Sequence, residues 1–80
     1  MSVKLVFLGK LADLAGAPEK LVPGPLDWAG LLAALPGPLG ENARGDRVKL
    51  ALNGKILSDK TLLSAAAGDE VALLPPVSGG

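Results

Sequence analysis

The sequence predicts a two-layer α+β domain in which a mixed sheet of about five strands packs on one main helix. Three observations predict it: short apolar runs with two-residue alternation, one segment with helical periodicity, and glycine- and proline-rich turns between them. The chain has 80 residues, of which 49% are apolar, which is enough for one domain with one shared core.

The first strand is predicted at residues 3–8, an apolar run bounded by Gly9. Side chains alternate between the two faces of a strand, so Leu8 is expected on the face away from the core. The residues expected to face the core are Val3, Leu5 and Phe7.

A short helix and a second strand are predicted next. Apolar spacing indicates one or two helical turns at residues 10–15, ended by Gly16 as a C-terminal cap. Residues 19–22 form a brief strand before the proline-rich turn at 23–25, and this strand is expected to pair antiparallel with the first.

The main helix is predicted to begin at Asp27, whose side chain caps exposed amides of the first turn. Gly30 within it costs about 1 kcal/mol relative to alanine, and the prolines at 36–38 end it. Residues 37–46 are interpreted as a surface connection without regular structure. The stripe that faces the sheet comprises Trp28, as an anchor in the core, and Leu31, Leu32 and Leu35.

A hairpin and a final strand complete the predicted sheet. Residues 47–52 alternate and lead through Asn53 and Gly54, a strong two-residue hairpin signal, into a returning strand at 55–57. The last strand covers residues 70–74 and is placed beside the first strand, which gives the β-grasp arrangement. Between them, the pair Leu62 and Leu63 is expected to fill the bottom of the core; the inward residues of the last strand are Val71 and Leu73.

Composition narrows the function classes. The chain has no cysteine and no histidine, which argues against a disulfide framework, a Cys or His zinc site, and thiol or imidazole catalysis. Its net charge is zero, so neither nucleic acid nor a membrane is expected as a partner. With no signal sequence and no apolar run of membrane-spanning length, a cytoplasmic location is expected.

The candidate functional segment is the C-terminal end. Residues 1–74 are interpreted as the β-grasp domain and residues 75–80 as an extended, flexible tail. Two prolines stop the strand and stiffen the base of the tail, whereas two glycines make its end thin enough for a narrow tunnel. An alternative is an ordinary frayed terminus. The tail residues are Pro75, Pro76, Val77, Ser78, Gly79 and Gly80, and the last is expected to carry a free carboxylate.

These residues resemble the small, sulfur-carrying subunit of molybdopterin synthase. The resemblance is carried by residues 68–80, by 50–54, by the opening strand at 4–8 and by 14–16. It covers most of the chain and is most specific in the last thirteen residues. The main helix and the loop after it depart from many members of that family because they are rich in glycine and proline.

The resemblance implies a ubiquitin-like β-grasp carrier without a bound cofactor. The carboxylate of Gly80 would be adenylated by a separate activating enzyme, which uses ATP, and converted to a thiocarboxylate. The tail would then enter the active site of the large synthase subunit and donate sulfur for the molybdopterin dithiolene. The small subunit itself would be noncatalytic, in a heterotetramer of two small and two large subunits.

Alternation, together with the family resemblance, suggests a partner interface at Leu8, Ile56 and Leu74, although single exposed apolar residues are common. The acidic pair at 69–70 is interpreted as a turn, and Arg44 and Arg47 as solvated side chains. Three other functions stay open: a sulfur carrier for thiamine or tRNA thiolation, a ubiquitin-like protein modifier, and a passive binding module.

Overall fold

The computed structural model describes residues 2–35 and 37–75. The helices in these ranges are α1 (Lys10–Ala15), α2 (Trp28–Ala34) and α3 (Gly37–Arg44), with a 3₁₀ turn at Lys60–Leu62. The strands are β1 (Ser2–Phe7), β2 (Glu19–Pro23), β3 (Leu26–Asp27), β4 (Lys49–Leu52), β5 (Lys55–Ile56), β6 (Ser64–Ala65) and β7 (Glu70–Leu74).

Five of the strands form one mixed sheet in the order β2-β1-β7-β4-β5. The last strand, β7, lies in the centre, parallel to β1 on one side and antiparallel to β4 on the other. β2 pairs antiparallel with β1, and β5 with β4. This topology confirms the predicted β-grasp, including the placement of the final strand beside the first.

The core lies between the sheet and the helices. Alternate residues of β1, β7 and β4 point into it, as the strand patterns predict, and β1 contributes three side chains that are at most 2% exposed. From the helices come Leu11, Leu31, Leu35 and Leu39. Each fully buried leucine contributes about 2–3 kcal/mol of transfer free energy, so this shared cluster holds the two layers together.

The start of α2 matches its predicted cap. Asp27 Oδ1 accepts a hydrogen bond from the backbone N–H of Gly30 at 2.8 Å. A Cβ atom at position 30 would lie 3.1 Å from that oxygen and 3.2 Å from Leu26 Cδ1. Glycine therefore avoids crowding at the cap. This benefit offsets part of the cost of its low helix propensity.

The interpretation of residues 37–46 as an irregular connection is wrong, because Gly37–Arg44 forms helix α3. Pro38 is in the first helical turn, where its missing N–H costs no intrahelical hydrogen bond. Leu39 and Ala43, four residues apart, are both buried on one side of α3. Gly40 is also buried, and a Cβ there would lie 3.4 Å from the carbonyl oxygen of Leu35.

Two short strands and one side chain also differ from the prediction. β3 and β6 form a separate two-stranded antiparallel sheet that the sequence did not indicate. Leu63 fills the core at 3% exposure, but Leu62 is 75% exposed, so the expectation that both leucines plug the core is wrong for Leu62. Leu62 ends the 3₁₀ turn, and the chain straightens before Leu63, which turns the two neighbours to opposite environments.

The adjacent leucines provide a matched stability test. Leu63→Ala is expected to lower the free energy of unfolding by about 2–5 kcal/mol, because it leaves a cavity in the core. Leu62→Ala is expected to change it by less than about 0.5 kcal/mol, because the side chain is already exposed. Urea unfolding followed by circular dichroism measures both. A Leu63→Ala effect as small as that of Leu62→Ala would contradict the placement of Leu63 in the core.

Candidate functional site

The face of the sheet opposite the helices carries an apolar row that crosses four strands. Val6 of β1 pairs in register with Ala72 of β7, Ala72 with Ala51 of β4, and Ala51 with Ile56 of β5. Residues paired in this way have side chains on the same face. The residues on either side of Val6 and Ala72 are buried in the core, so this row lies on the outer face.

The three predicted interface residues lie on or beside this row. Leu8 follows β1 directly, and its N–H donates to the carbonyl of Leu73 at 3.3 Å, which places it beside Leu74 on the adjacent strand. Leu8 is 40% exposed and Leu74 is half-buried. Ile56, 64% exposed, lies two strands from β7, and the alanines connect it to Leu74.

We call the resulting surface the open-face patch: Val6, Leu8, Ala51, Ile56, Ala72 and Leu74. Sequence reasoning selected only three of its members. Val6 and Ala72 have the same outward parity as the selected leucines, and this signal was sufficient to include them. Ala51 has the same outward parity between the inward Leu50 and Leu52, but it was not selected; at 6% exposure it links Ala72 to Ile56 and offers little contact surface of its own.

Charged residues border the open-face patch. Lys49 is paired in register with Leu74, and Lys4 with Glu70. Lys4 Nζ lies 3.7 Å from Glu19 Oε2, but both side chains are about half exposed, so this ion pair contributes little to stability. An apolar centre with a border of both charges is the arrangement found in protein–protein interfaces.

The base of the tail continues the central strand. β7 ends at Leu74, and Pro75, which has no N–H for a ladder, follows it as a half-buried residue. The other predicted tail residues, Pro76, Val77, Ser78, Gly79 and Gly80, lie outside the described residues. Their insertion into a partner, the reactive terminus at Gly80 and the boundary between 74 and 75 therefore stay predictions.

The start of β7 is tied to the predicted hairpin. Asn53 and Gly54 both have positive φ, as a two-residue hairpin turn of this type requires. The N–H of Asn53 donates to the carbonyl of Glu70 at 2.8 Å, and Asn53 Oδ1 accepts from the N–H of Glu70 at 2.9 Å. The hairpin thus holds the strand that leads to the tail.

Apart from the open-face patch, a concavity of about 370 Å³ lies between the end of α3 and the 3₁₀ turn. Lys60 Nζ donates to the carbonyls of Val48, at 2.8 Å, and Gly45, and lies 5.8 Å from the centre of the Trp28 ring. Burial lowers the pKa of Lys60. Trp28 is half-buried in this wall and packs against the hydrophobic core, so it anchors α2 from the edge of the core. Because the ammonium is engaged by backbone carbonyls, we interpret Lys60 as a structural clasp, which sequence reasoning missed.

Two kinds of feature are absent from the ranges 2–35 and 37–75. They contain no group of three or more acidic, cysteine or histidine residues placed to bind a metal ion. No helix in the same ranges combines the length and the apolar character that crossing a bilayer requires.

Comparisons with known proteins add to this geometry. The profile of the ThiS family matches residues 5–80. The molybdopterin synthase sulfur carrier subunit of Drosophila melanogaster is 34% identical to this chain over an alignment of 85 residues. The alignment covers 100% of this chain and 92% of that protein.

Solved structures show the same fold. The crystal structure of small archaeal modifier protein 1 from Haloferax volcanii has a TM-score of 0.72 at 28% identity and covers 95% of this chain and 98% of that one. A chain in the complex of subunits 1 and 2 of the molybdopterin-converting factor from Helicobacter pylori has a TM-score of 0.68 at 26% identity, with 100% of both chains covered.

Proposed function

Because this chain belongs to the ThiS family, we propose that it is a sulfur carrier whose Gly80 carboxylate is converted to a thiocarboxylate. The family match over residues 5–80 carries the proposal, because it includes the diglycine end as well as the β-grasp domain. The resemblance to the small subunit of molybdopterin synthase, inferred from the sequence, is confirmed by the Drosophila relative.

Two chemical steps would load the carrier. The carboxylate of Gly80 attacks the α-phosphate of ATP, which gives an acyl-adenylate and releases pyrophosphate. A hydrosulfide equivalent from a sulfur donor then displaces AMP from the carbonyl carbon. Adenylation is needed because a carboxylate oxygen is a poor leaving group, whereas AMP is a good one. The chain has neither cysteine nor histidine, so we assign catalysis to the activating enzyme and later to the sulfur acceptor.

The proposed acceptor complex is molybdopterin synthase. The carrier would dock through the open-face patch onto a large subunit, place its tail in the active site and supply sulfur for the dithiolene, in a heterotetramer of two copies of each subunit. Support comes from the name of the Drosophila relative and from the Helicobacter pylori structure, in which subunits 1 and 2 form a complex. The apolar centre and charged border of the patch fit a protein partner.

A second candidate function is covalent modification of other proteins. It is favoured by the similarity to small archaeal modifier protein 1, at 28% identity over nearly the whole of both chains. The same acyl-adenylate serves both functions, because a lysine amine can displace AMP to give an isopeptide bond. The two functions therefore differ in the acceptor.

Mass spectrometry of the loaded protein tests the proposal. After incubation with its activating enzyme, ATP and a sulfur donor, the chain is expected to gain mass corresponding to one oxygen replaced by sulfur, located at Gly80. Omitting ATP is the control and should leave the mass unchanged. Addition of the large subunit and a pterin precursor should then return the carboxylate. A terminus that stays unmodified with ATP present would contradict the carrier function, and isopeptide-linked adducts would favour the modifier.

A further inference from the structure

Gly9 lies directly beside the base of the tail. It occupies the turn between β1 and α1 at φ 57° and ψ −134°. A Cβ atom built at position 9 would lie 3.2 Å from Cγ of Pro75, closer than most side chains approach one another. We propose that Gly9 is a positioning residue for the tail: its missing side chain lets the Pro75 ring pack against the turn and sets the direction in which the chain leaves β7.

The turn is held on both sides and has little room to retreat. Before Gly9, the N–H of Leu8 donates to the carbonyl of Leu73 at 3.3 Å, which joins the turn to β7. After it, the N–H of Ala12 donates to the carbonyl of Gly9 at 3.1 Å, within the first turn of α1. A side chain at position 9 would therefore press on Pro75. It would also strain the turn itself, because φ 57° with ψ −134° is a backbone conformation open to glycine alone, so the two effects have to be separated by experiment.

The importance of this contact rests on the proposed function. Gly80 is the fifth residue after Pro75, and a chain held extended over that length spans about 17 Å. A tilt of about 10° at Pro75 would then move the terminus by roughly 3 Å, whereas a misplacement of about 1 Å can reduce a reaction rate 100-fold. A small change at the base is thus amplified at the reacting carboxylate.

A double-mutant cycle tests the role, with Gly9→Ala, Pro75→Ala and the two combined. Gly16→Ala is the matched control, because Gly16 also has positive φ, at 78°, but a Cβ there would meet no atom within 4 Å. The activating enzyme's kcat and KM for each carrier variant are measured, together with the melting temperature of each variant.

Gly9→Ala is expected to lower kcat by at least about 10-fold and to leave KM within about 2-fold, because it alters the direction of the tail and leaves the folded surface of the domain in place. Gly16→Ala should leave both constants within about 2-fold. Its αL backbone strains an alanine less than the backbone of Gly9 does, so the cycle with Pro75→Ala is what isolates the contact. In the Pro75→Ala background, the effect of Gly9→Ala on kcat should shrink to less than about 2-fold. If Gly9→Ala does not fold, Pro75→Ala alone should lower kcat with KM unchanged.

Several results would overturn the proposal: equal effects of Gly9→Ala with and without Pro75, an equal effect of Gly16→Ala, or an unchanged kcat for Pro75→Ala. An independent readout is the nuclear Overhauser effect between the α-protons of Gly9 and the ring protons of Pro75. This signal is expected in the protein that carries no substitution. Its absence would overturn the contact whatever the kinetics show. Failure of the unmodified protein to be loaded, with this signal present, would instead count against the proposed function.

Discussion

Deletion of Gly80 is expected to reduce thiocarboxylate formation by at least about 100-fold, with the thermal unfolding of the domain unchanged. The deletion withdraws the carboxylate by one residue, about 3.3 Å along an extended tail, which is far outside the tolerance of a positioned reaction. The fold should survive because the core cluster is built from residues between Val3 and Leu73. Mass spectrometry after loading and a circular dichroism melt measure the two effects.

Two further variants sharpen this result. An additional glycine after Gly80 should be as inactive as the deletion, because it moves the carboxylate by the same distance in the opposite direction. Leu62→Ala, which lies in the 3₁₀ turn and outside the open-face patch, should be loaded normally. Loading of the shortened chain at Gly79, or loss of its cooperative melt, would contradict the division between a stable domain and a reactive tail.

Leu74→Asp is expected to weaken binding to the large synthase subunit by at least about 30-fold, the effect of a central interface residue. The substitution places a carboxylate within the apolar open-face patch, where docking would remove it from water at a cost that an exposed pair with its cross-strand neighbour Lys49 does not offset. Leu74 is not part of the core cluster, so the fold should persist. Isothermal titration calorimetry measures the dissociation constant, and a melt confirms folding.

Leu62→Asp is the matched control for this experiment. Leu62 is 75% exposed, more than Leu8 and Ile56 of the open-face patch. It lies in the 3₁₀ turn and outside the patch. The same charge there should change the dissociation constant by less than about 2-fold, as for a site outside the interface. Unchanged binding by Leu74→Asp, or an equal loss in both variants, would remove the patch from the proposed docking surface.

The sheet could be predicted from the sequence because alternation is a local signal. The inward parity of Val3, Leu5 and Phe7 follows from the chain alone, and so does the outward parity of Leu8. The cap at Asp27 and the turn at Asn53 are likewise chemical signals within a few residues. These are the parts of the fold that the structure reproduces most closely.

Features that depend on distant contacts could not be predicted in this way. α3 contains three residues that favour chain breaks, at positions 37, 38 and 40, and it is stabilised by burial of Leu39 and Ala43 against other elements. β3 and β6 are two residues each, too short for any periodicity, and exist through their pairing with one another. The contact of Gly9 with Pro75 joins residues that are far apart in the chain.

The central position of β7 has a mechanical consequence for the proposed insertion of the tail into a partner protein. A pull on the tail is transmitted to a strand that is bonded along both edges, to β1 and to β4. Force along the strand loads both ladders in shear, so many hydrogen bonds share it at once and none opens in isolation. An edge strand pulled in the same direction would be held by one ladder only. Under the proposed function, the domain would therefore stay folded through repeated insertion and withdrawal of its tail, as a carrier that is loaded many times requires.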